Sequence, residues 1–179
     1  MAPTVTGTPA FDRSLIAADY ARAGRQVRDL IAGATPAELR RRSSGTRWTN
    51  EQLLFHMVFG YMVVQALLPL VRLISRLPAP IGRGFAAVLN AGTKPFDLVN
   101  YWGSCAAALV FNRHRMAAKF DRVSSALLRR LERETERDLA RSMPFPTRWD
   151  PFFLPTMTLG QLYAYPTQHF DFHRAQLSL

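Results

Sequence analysis

The chain has 179 residues, of which 48% are hydrophobic and 20% are charged. This length is typical of one domain, and the apolar share excludes a largely disordered chain. The single cysteine, Cys105, excludes a disulfide-stapled domain and a zinc knuckle. The formal net charge of +10 favours anionic partners, but the basic residues are scattered along the chain, which argues against nucleic-acid binding.

We expect one domain over residues 1–179, with a flexible N-terminus at residues 1–9. The first residues lack the basic and apolar regions of a secretory signal, so a cytoplasmic location is expected. Of the 23 basic residues, all but Lys94 and Lys119 are arginines. We interpret this bias as the signature of a GC-rich bacterial genome.

An amphipathic helix is predicted near the start, because hydrophobic residues from Phe11 to Ile31 recur mostly at steps of three and four. This helix is predicted to end near Gly33. Thr35 and Pro36 then begin a short helical turn, since proline suits the first position of a helix.

A long apolar helix is predicted to begin at a capping box, in which the Thr49 and Gln52 side chains satisfy backbone amides at the helix start. The run from Leu53 to Val71 contains no charge and approaches the length of about 20 residues that crosses a bilayer. Polar residues within the run favour the central helix of a soluble bundle instead. The helix is predicted to continue past Pro69 with a kink or break and to end by Leu77.

The remaining chain is predicted to be mostly helical. Residues Pro78 to Gly84 have the composition of a turn, and Phe85 to Asn90 form a short helical piece. A helical region, of one helix or two, follows from Phe96 or Asp97 to about Leu139. A long aromatic loop then leads to Thr158, the predicted N-cap of a last helix that Pro166 interrupts.

The four main helices and the near absence of strand patterns predict an all-α fold. We predict an antiparallel four-helix bundle with extra short helices in the connection at residues 78–95. In such bundles, metal and ligand sites are built from side chains on facing helices.

The histidines are the main candidates for a metal site. His169 and His173 lie four residues apart in the last helix, which places both imidazoles on one face about 6 Å apart. The same spacing also arises by chance, and Phe170 stands where a zincin metalloprotease has its glutamate, which argues against peptide hydrolysis. His56 is either a core histidine or, if its helix adjoins the last helix, a third ligand. Gly60, one turn later, would leave room for an ion.

Two motifs resemble the DinB/YfiT-like superfamily. The first is RWTNEQLLFHMV at Arg47 to Val58, which is similar to the signature W-[ST]-x-x-[EQ]-h-h-x-H. The second is TLGQLYAYPTQHFDFHRAQL at Thr158 to Leu177, which is similar to the family's last helix ending in H-x-x-x-H-x-x-Q. The resemblance implies a four-helix bundle with a divalent metal, typically zinc or nickel, held by His56, His169 and His173.

The resemblance also implies an activity. An ion held by three histidines activates water or holds a thiol as thiolate. The superfamily is similar to thiol-dependent transferases and isomerases, including those that use mycothiol or bacillithiol, so a low-molecular-weight thiol held by arginines is an expected cofactor. Pro166 and the apolar segment from Met62 to Phe85 depart from the family pattern, and they leave the substrate class open.

The rival hypothesis is a non-catalytic protein. In that case the bundle encloses an apolar ligand or contacts a membrane surface through the segment from Met62 to Ile81. In both hypotheses we expect a small-molecule partner, neutral or anionic, and no nucleic acid. A homodimer is compatible with either hypothesis.

Further residues receive secondary assignments. Asp171 lies round the helix from His169 and is expected to point away from the site. Gln176 is a candidate either to orient His173 or to serve in capping or packing. Gln52 is assigned to the helix cap.

Positions are also predicted for residues without a direct role in the metal site. His114 is expected at the surface, and Cys105 in a close helix contact. Tyr163 is expected to line the pocket. Core or pocket-wall positions are predicted for Trp48, Trp102 and Trp149.

Overall fold

The computed structural model describes residues 11–179, so the prediction for residues 1–9 lies outside the described residues. The described chain forms eight helices and one two-stranded sheet. The helices are α1 (Arg13–Gly33), α2 (Pro36–Arg40), α3 (Asn50–Ile74), α4 (Ala79–Ala91), α5 (Thr93–Val110), α6 (Met116–Leu131), α7 (Glu136–Leu139) and α8 (Leu159–Arg174). The strands are β1 (Ser142–Pro144) and β2 (Thr156–Thr158).

Helices α1, α3, α6 and α8 pack into a four-helix bundle, in which α1 and α3 each contact both α6 and α8. The predicted all-α fold is therefore confirmed. Tyr61 meets Tyr20 and Phe120 edge to face inside the bundle, with ring centroids 5.0 and 4.8 Å apart. All three rings are buried. The Tyr20 hydroxyl donates a hydrogen bond of 2.8 Å to the Tyr163 carbonyl oxygen, which ties α1 to α8.

Contacts at the helix ends give the helix directions. The backbone amide of Ser178, beyond the end of α8, donates to the Asn50 side chain at the start of α3. Helices α3 and α8 are therefore antiparallel, which brings the first half of α3 beside the last half of α8.

Helices α3 and α6 instead run in the same direction. The backbone amide of Arg113, just before α6, donates to the Glu51 carboxylate at the start of α3. Arg72, near the end of α3, pairs with Glu134, just after α6. The extra helices α4 and α5 return the chain from one end of α3 to the other. Helix α4 lies in the predicted connection at residues 78–95, and α5 extends beyond it to Val110.

Helix α3 is the core helix of the bundle. By length and composition it could cross a membrane, and it is the one such helix in the described part of the chain. Leu53, Leu68 and Val71 are nevertheless fully buried, and α5, α6 and α8 all pack against it. The prediction of a central bundle helix is confirmed.

Capping residues start several helices as predicted. The Thr49 side chain accepts from the Gln52 amide, and Gln52 accepts from the Thr49 amide, so the predicted box forms. Thr158 and Gln161 form the same arrangement at the start of α8. The short helix α2 begins at Pro36 behind its own capping residue, Thr35.

Three predictions of helix boundaries are wrong. Pro78 to Gly84 is not a turn, because α4 begins at Ala79 and its prolines fall at the first positions of the helix, where no amide partner is lost. The next helix starts at Thr93, earlier than predicted, and the region up to Leu139 contains three separate helices. Pro166 does not interrupt α8, which is continuous through it.

Packing explains why the internal prolines do not end their helices. A proline inside a helix costs about 3 kcal/mol because it removes one hydrogen bond and crowds the preceding turn. Pro166 is buried in α8 between the buried residues Tyr165 and Thr167, and Pro69 lies in α3 beside the buried Leu68. The packing of these helices offsets the local cost.

The aromatic segment after α7 contains a small sheet that the sequence did not predict. Strands β1 and β2 pair antiparallel, with Met143 opposite Met157. Both methionines are buried. The sheet anchors both ends of the intervening loop, residues 145–155, beside the helix bundle.

Candidate metal centre

The three predicted histidines lie together between α3 and α8. His56 comes from α3, and His169 and His173 come from successive turns of α8. Their nearest ligand nitrogens all lie within 4.8 Å of one another. The ring centroids of His56 are 4.9 Å from His169 and 4.8 Å from His173, and the two α8 rings are 4.5 Å apart. These three histidines are positioned to bind one metal ion.

Two hydrogen bonds orient the imidazoles from α8. His169 Nδ1 lies 2.9 Å from Asp150 Oδ2, and His173 Nδ1 lies 2.7 Å from Gln176 Oε1. Because both partners accept, each Nδ1 carries the proton and each Nε2 presents its lone pair. The predicted role of Gln176 in orienting His173 is thus observed.

His56 is held by a third polar contact. Its Nδ1 lies 3.2 Å from the Ser104 Oγ of α5, and Ser104 is buried. The Trp48 ring stacks on His56 with centroids 4.3 Å apart. The helix packing and these two neighbours fix the His56 ring beside the pair on α8.

The donor set fits a metal ion. His169 Nε2 is buried and has no hydrogen-bond partner among the described residues. An unpartnered buried nitrogen is costly, and coordination to an ion would satisfy it. Three imidazole nitrogens with further positions left open is an arrangement typical of catalytic zinc sites.

Gly60 is required by the close approach of α3 and α8. A Cβ at this position would lie 2.8 Å from His169 Cδ2, so α8 or the imidazole would have to shift to admit it. Gly60 was expected to leave room for an ion; in the structure the His169 ring occupies the space beside it.

Burial keeps two of the histidines uncharged near neutral pH. It lowers the pKa of His56 well below its ordinary value, and the neighbouring His169 and His173 lower it further. Burial and then His169 lower the pKa of His173 to about 4, although the hydrogen bond to Gln176 acts in the opposite direction. Neutral imidazole is the form that coordinates a metal ion.

Asp150 is the residue of the site that sequence reasoning missed. Its Oδ2 accepts hydrogen bonds from the Tyr165 hydroxyl and from His169, and its Oδ1 accepts from the Phe152 amide. Burial raises the pKa of Asp150, but the hydrogen bond and charge interaction with His169 outweigh it and keep the pKa below its ordinary value. A lone carboxylate in the aromatic segment Trp149 to Phe153 was the available signal.

Other predicted residues lie away from the histidines. Asp171 pairs with Arg22 of α1 at 2.8 Å and points away from the site, as expected. His114 is exposed, as predicted. Cys105 is half-buried on α5.

Two aromatic predictions are wrong. Trp102 is neither core nor pocket wall, since its side chain is 62% exposed. Tyr163 does not line the pocket. It lies on another face of α8, where its hydroxyl donates to the buried carboxylate of Glu134, just after α6. Tyr165, two residues later, takes the pocket position. Trp48 and Trp149 line the pocket as predicted.

An apolar cavity of about 250 Å³ adjoins the three histidines. Its wall contains no lysine or arginine among the described residues, and Asp150 is its one carboxylate. The apolar wall is formed mainly by residues of α3, α4, α5 and the loop between the strands. These residues include Phe59, Val63, Leu67, Phe96, Phe145 and Phe153.

A second, open and more polar groove of about 510 Å³ adjoins the site at His173. His173, Trp48 and Asn100 line both the groove and the cavity. Arg47 also lines the groove and lies over the Tyr101 ring, with its guanidinium carbon 4.2 Å from the ring centroid. All three histidines therefore border the apolar cavity, and His173 also borders the more polar groove.

The comparison with protein families agrees with this geometry. Residues 19–177 match the family model of the DinB superfamily, and the chain belongs to that superfamily. No curated protein matches the chain significantly, and no solved structure does.

Proposed function

We propose that this member of the DinB superfamily binds one divalent ion, zinc or nickel, through the Nε2 atoms of His56, His169 and His173. The observation that carries the proposal is the buried, unpartnered His169 Nε2, which faces two further imidazoles within ligand distance of one another. Zinc and nickel both accept imidazole nitrogen readily. The outer hydrogen bonds to Asp150 and Gln176 support the assignment of Nε2 as the donor atom.

We propose further that the protein is an enzyme that activates a thiol or water at this centre. A bound ion of this type supplies Lewis acidity, which lowers the pKa of a coordinated water or thiol toward neutral pH. The chain's own residues bind the substrate and the thiol. The cavity beside the histidines takes the apolar part of a substrate and excludes bulk water, and the Arg47 groove suits a polar thiol such as mycothiol or bacillithiol.

The cavity wall away from the histidines suits an apolar part of the substrate. A carboxylate or phosphate placed there would meet apolar side chains, with no lysine or arginine in the wall to compensate its desolvation. A volume of about 250 Å³ suits a small molecule. We therefore propose a small apolar electrophile as the substrate, which the protein isomerises, hydrolyses or joins to a thiol. We also propose that the protein is cytoplasmic.

The same cavity favours a second candidate function, the binding of an apolar ligand without catalysis. In that case the histidines shape the cavity but carry out no chemistry. The two hypotheses differ in what happens when a histidine is removed. An enzyme loses turnover, whereas a binding protein retains its ligand.

Metal content tests the first proposal directly. Untagged protein would be analysed by mass spectrometry as wild type and as His56→Ala, His169→Ala and His173→Ala, with the exposed His114→Ala as the matched control. We expect about one equivalent of metal in wild type and in His114→Ala, and a large loss in the other three. A wild type that also refuses added zinc and nickel would refute the centre.

Activity is tested separately. Small apolar electrophiles would be screened with mycothiol, bacillithiol and water as acceptors, using the metal-loaded wild type and the four variants. Catalysis predicts loss of turnover in the three site variants with unchanged helical circular dichroism. Retained binding of an apolar fluorescent probe in all variants, with no turnover in any protein, would support the binding protein instead.

A further inference from the structure

The exposed apolar side chains are concentrated on one part of the fold. Among residues 11–179, thirteen large hydrophobic side chains are exposed, and nine of them lie between Leu73 and Val110. Seven of these nine belong to α4 and α5. They are Ile81, Val88, Leu98, Val99, Trp102, Leu109 and Val110, which we call the α4–α5 apolar face.

Helical spacing shows that these residues form an outer face of α5. Leu98, Trp102 and Leu109 follow one another at four and seven residues, which places them on one side of the helix. Their side chains are 58%, 62% and 80% exposed. The opposite side carries Ser104 and Ala108, which are buried against the bundle. The apolar side is therefore the one that the fold leaves unpartnered.

Helix α4 repeats this arrangement. Ile81 and Val88 are seven residues apart and both exposed, so they share the outer side. Gly82 and Ala86 are buried on the inner side. A monomeric soluble protein rarely exposes so much apolar surface without an interaction that covers it.

The charges in the segment that carries this face are mostly positive. Residues 75–115 contain five basic residues and one acidic residue, Asp97, for a formal charge of 5 − 1 = +4. The exposed cations are Arg76, Arg83, Lys94 and Arg115. A second copy of the chain on this face would bring cations against cations, whereas an anionic surface is complementary.

We propose that the α4–α5 apolar face docks on an anionic phospholipid bilayer. Apolar and tryptophan side chains on one face, with arginine and lysine beside them, are the composition of helices that lie in a membrane interface. The exposed Trp102 takes the interfacial position of an indole, and the cations contact lipid phosphates. The helices lie on the bilayer and do not cross it, since the inner face of α5 remains packed on α3 and that of α4 on β1.

Docking would place the cavity next to the membrane. Leu89 of α4 and Phe96 of α5 line the cavity, and the outer sides of the same helices form the docking face. An apolar molecule dissolved in the bilayer would thus have a short path to the histidines. The docking proposal itself does not depend on the metal or on catalysis.

Vesicle flotation tests the proposal. Full-length wild type would be mixed with vesicles of phosphatidylcholine alone and of phosphatidylcholine with phosphatidylglycerol. We expect flotation with the anionic vesicles, much less with the neutral ones, and a decrease as salt rises. Absence of flotation with the anionic vesicles would overturn the proposal.

Two matched substitutions separate docking from a general effect of surface charge. Leu98→Asp changes the docking face, and Leu15→Asp changes a leucine on α1 that is equally exposed, at 58%. We expect Leu98→Asp to weaken vesicle binding about tenfold or more and Leu15→Asp to have little effect. Equal effects of both would show that the apolar face is not the contact, and would contradict the proposal.

The oligomeric state supplies the last discrimination. Each variant would be checked by thermal unfolding and metal content. Neither leucine contacts the histidines, so we expect both quantities to match those of the wild type. Analytical ultracentrifugation of the wild type without lipid should show a monomer. A stable dimer that Leu98→Asp dissociates would show that a second copy covers this face, which would overturn the proposal in favour of self-association.

Discussion

Asp150 Oδ2 lies 2.9 Å from His169 Nδ1, although the two residues belong to different elements, a loop held by a two-stranded sheet and the last bundle helix. The contact fixes the ring and its tautomer, so that Nε2 faces His56 and His173. The three histidines thus come from two helices, and the loop contributes its carboxylate without contributing a ligand.

Replacement of this carboxylate should weaken the metal centre. We expect Asp150→Asn to lower zinc affinity about 10- to 100-fold, because the amide no longer enforces a protonated Nδ1 on His169. The measurement is zinc competition against a chromophoric chelator. Asp171→Asn is the matched control, since Asp171 lies two residues from His169 but pairs with Arg22 outside the site. Equal affinities in the two variants would contradict the assigned role.

A methyl group at Gly60 should disturb the same ring. A Cβ there would lie 2.8 Å from His169 Cδ2, so Gly60→Ala must displace either α8 or the imidazole. We expect a loss of about 1–3 kcal/mol in unfolding free energy together with weaker metal binding. Denaturant unfolding and the chelator competition measure both effects.

Gly103→Ala is the control for this substitution. Gly103 lies within α5, and a Cβ there would meet no atom within 4 Å. Alanine has the better helix propensity, so we expect a gain of about 0.5–1 kcal/mol and unchanged metal binding. If both glycine variants behaved alike, crowding of His169 would not be the cause.

The metal-free protein should lose stability as the pH falls. The pKa of His173 is about 4 in the fold, against an ordinary value of 6.5, and the pKa of His56 is also well below its ordinary value. Between these values the unfolded chain binds more protons than the folded one, so stability is complete above about pH 6.5 and decreases toward pH 4. Urea unfolding of chelator-treated protein across this range measures the dependence.

His173→Gln isolates the contribution of that histidine. Glutamine does not titrate, so the variant should lose less stability between about pH 6.5 and pH 4 than the wild type does. If the unfolding free energy of the variant fell with pH as steeply as that of the wild type, protonation of His173 would not be a cause of the loss.

The buried Glu134 should matter for stability and not for metal binding. Its side chain is fully buried, pairs with Arg72 and accepts from the Tyr163 hydroxyl at 3.0 Å, which joins α3, α8 and the end of α6. We expect Glu134→Gln to cost about 1–3 kcal/mol in unfolding free energy, with metal content unchanged. The neighbouring exposed Glu132→Gln should cost little. Loss of metal from Glu134→Gln would show that this ion-pair cluster supports the site as well.

Local patterns made several elements predictable. The interaction of Thr49 with Gln52 involves neighbouring residues only, so four consecutive residues determine the start of the core helix. The spacing of His169 and His173 likewise sets their common face, because the helix repeat is invariant. Membership of the superfamily was foreseen from the same two motifs.

Prolines were poor predictors of helix ends where tertiary packing is strong. Pro166 and the prolines of Pro78 to Gly84 predicted an interruption and a turn, and both lie in helices. Likewise, the sequence pattern did not distinguish Trp48, against the site, from Trp102, in solvent. Which face of a helix is covered depends on the neighbouring element, and that information is not local.

The sequence by itself determined the all-α class, the capped starts of α3 and α8 and the common face of His169 and His173, because each depends on residues within about one or two helical turns. The tertiary structure alone decided that α3 and α8 bring His56 within ligand distance of the pair on α8. It also decided that Asp150 reaches His169 and that the outer side of α5 is left apolar and exposed. These relationships arise from packing between distant segments, whose free energy outweighs local preference and has no periodic signature along the chain.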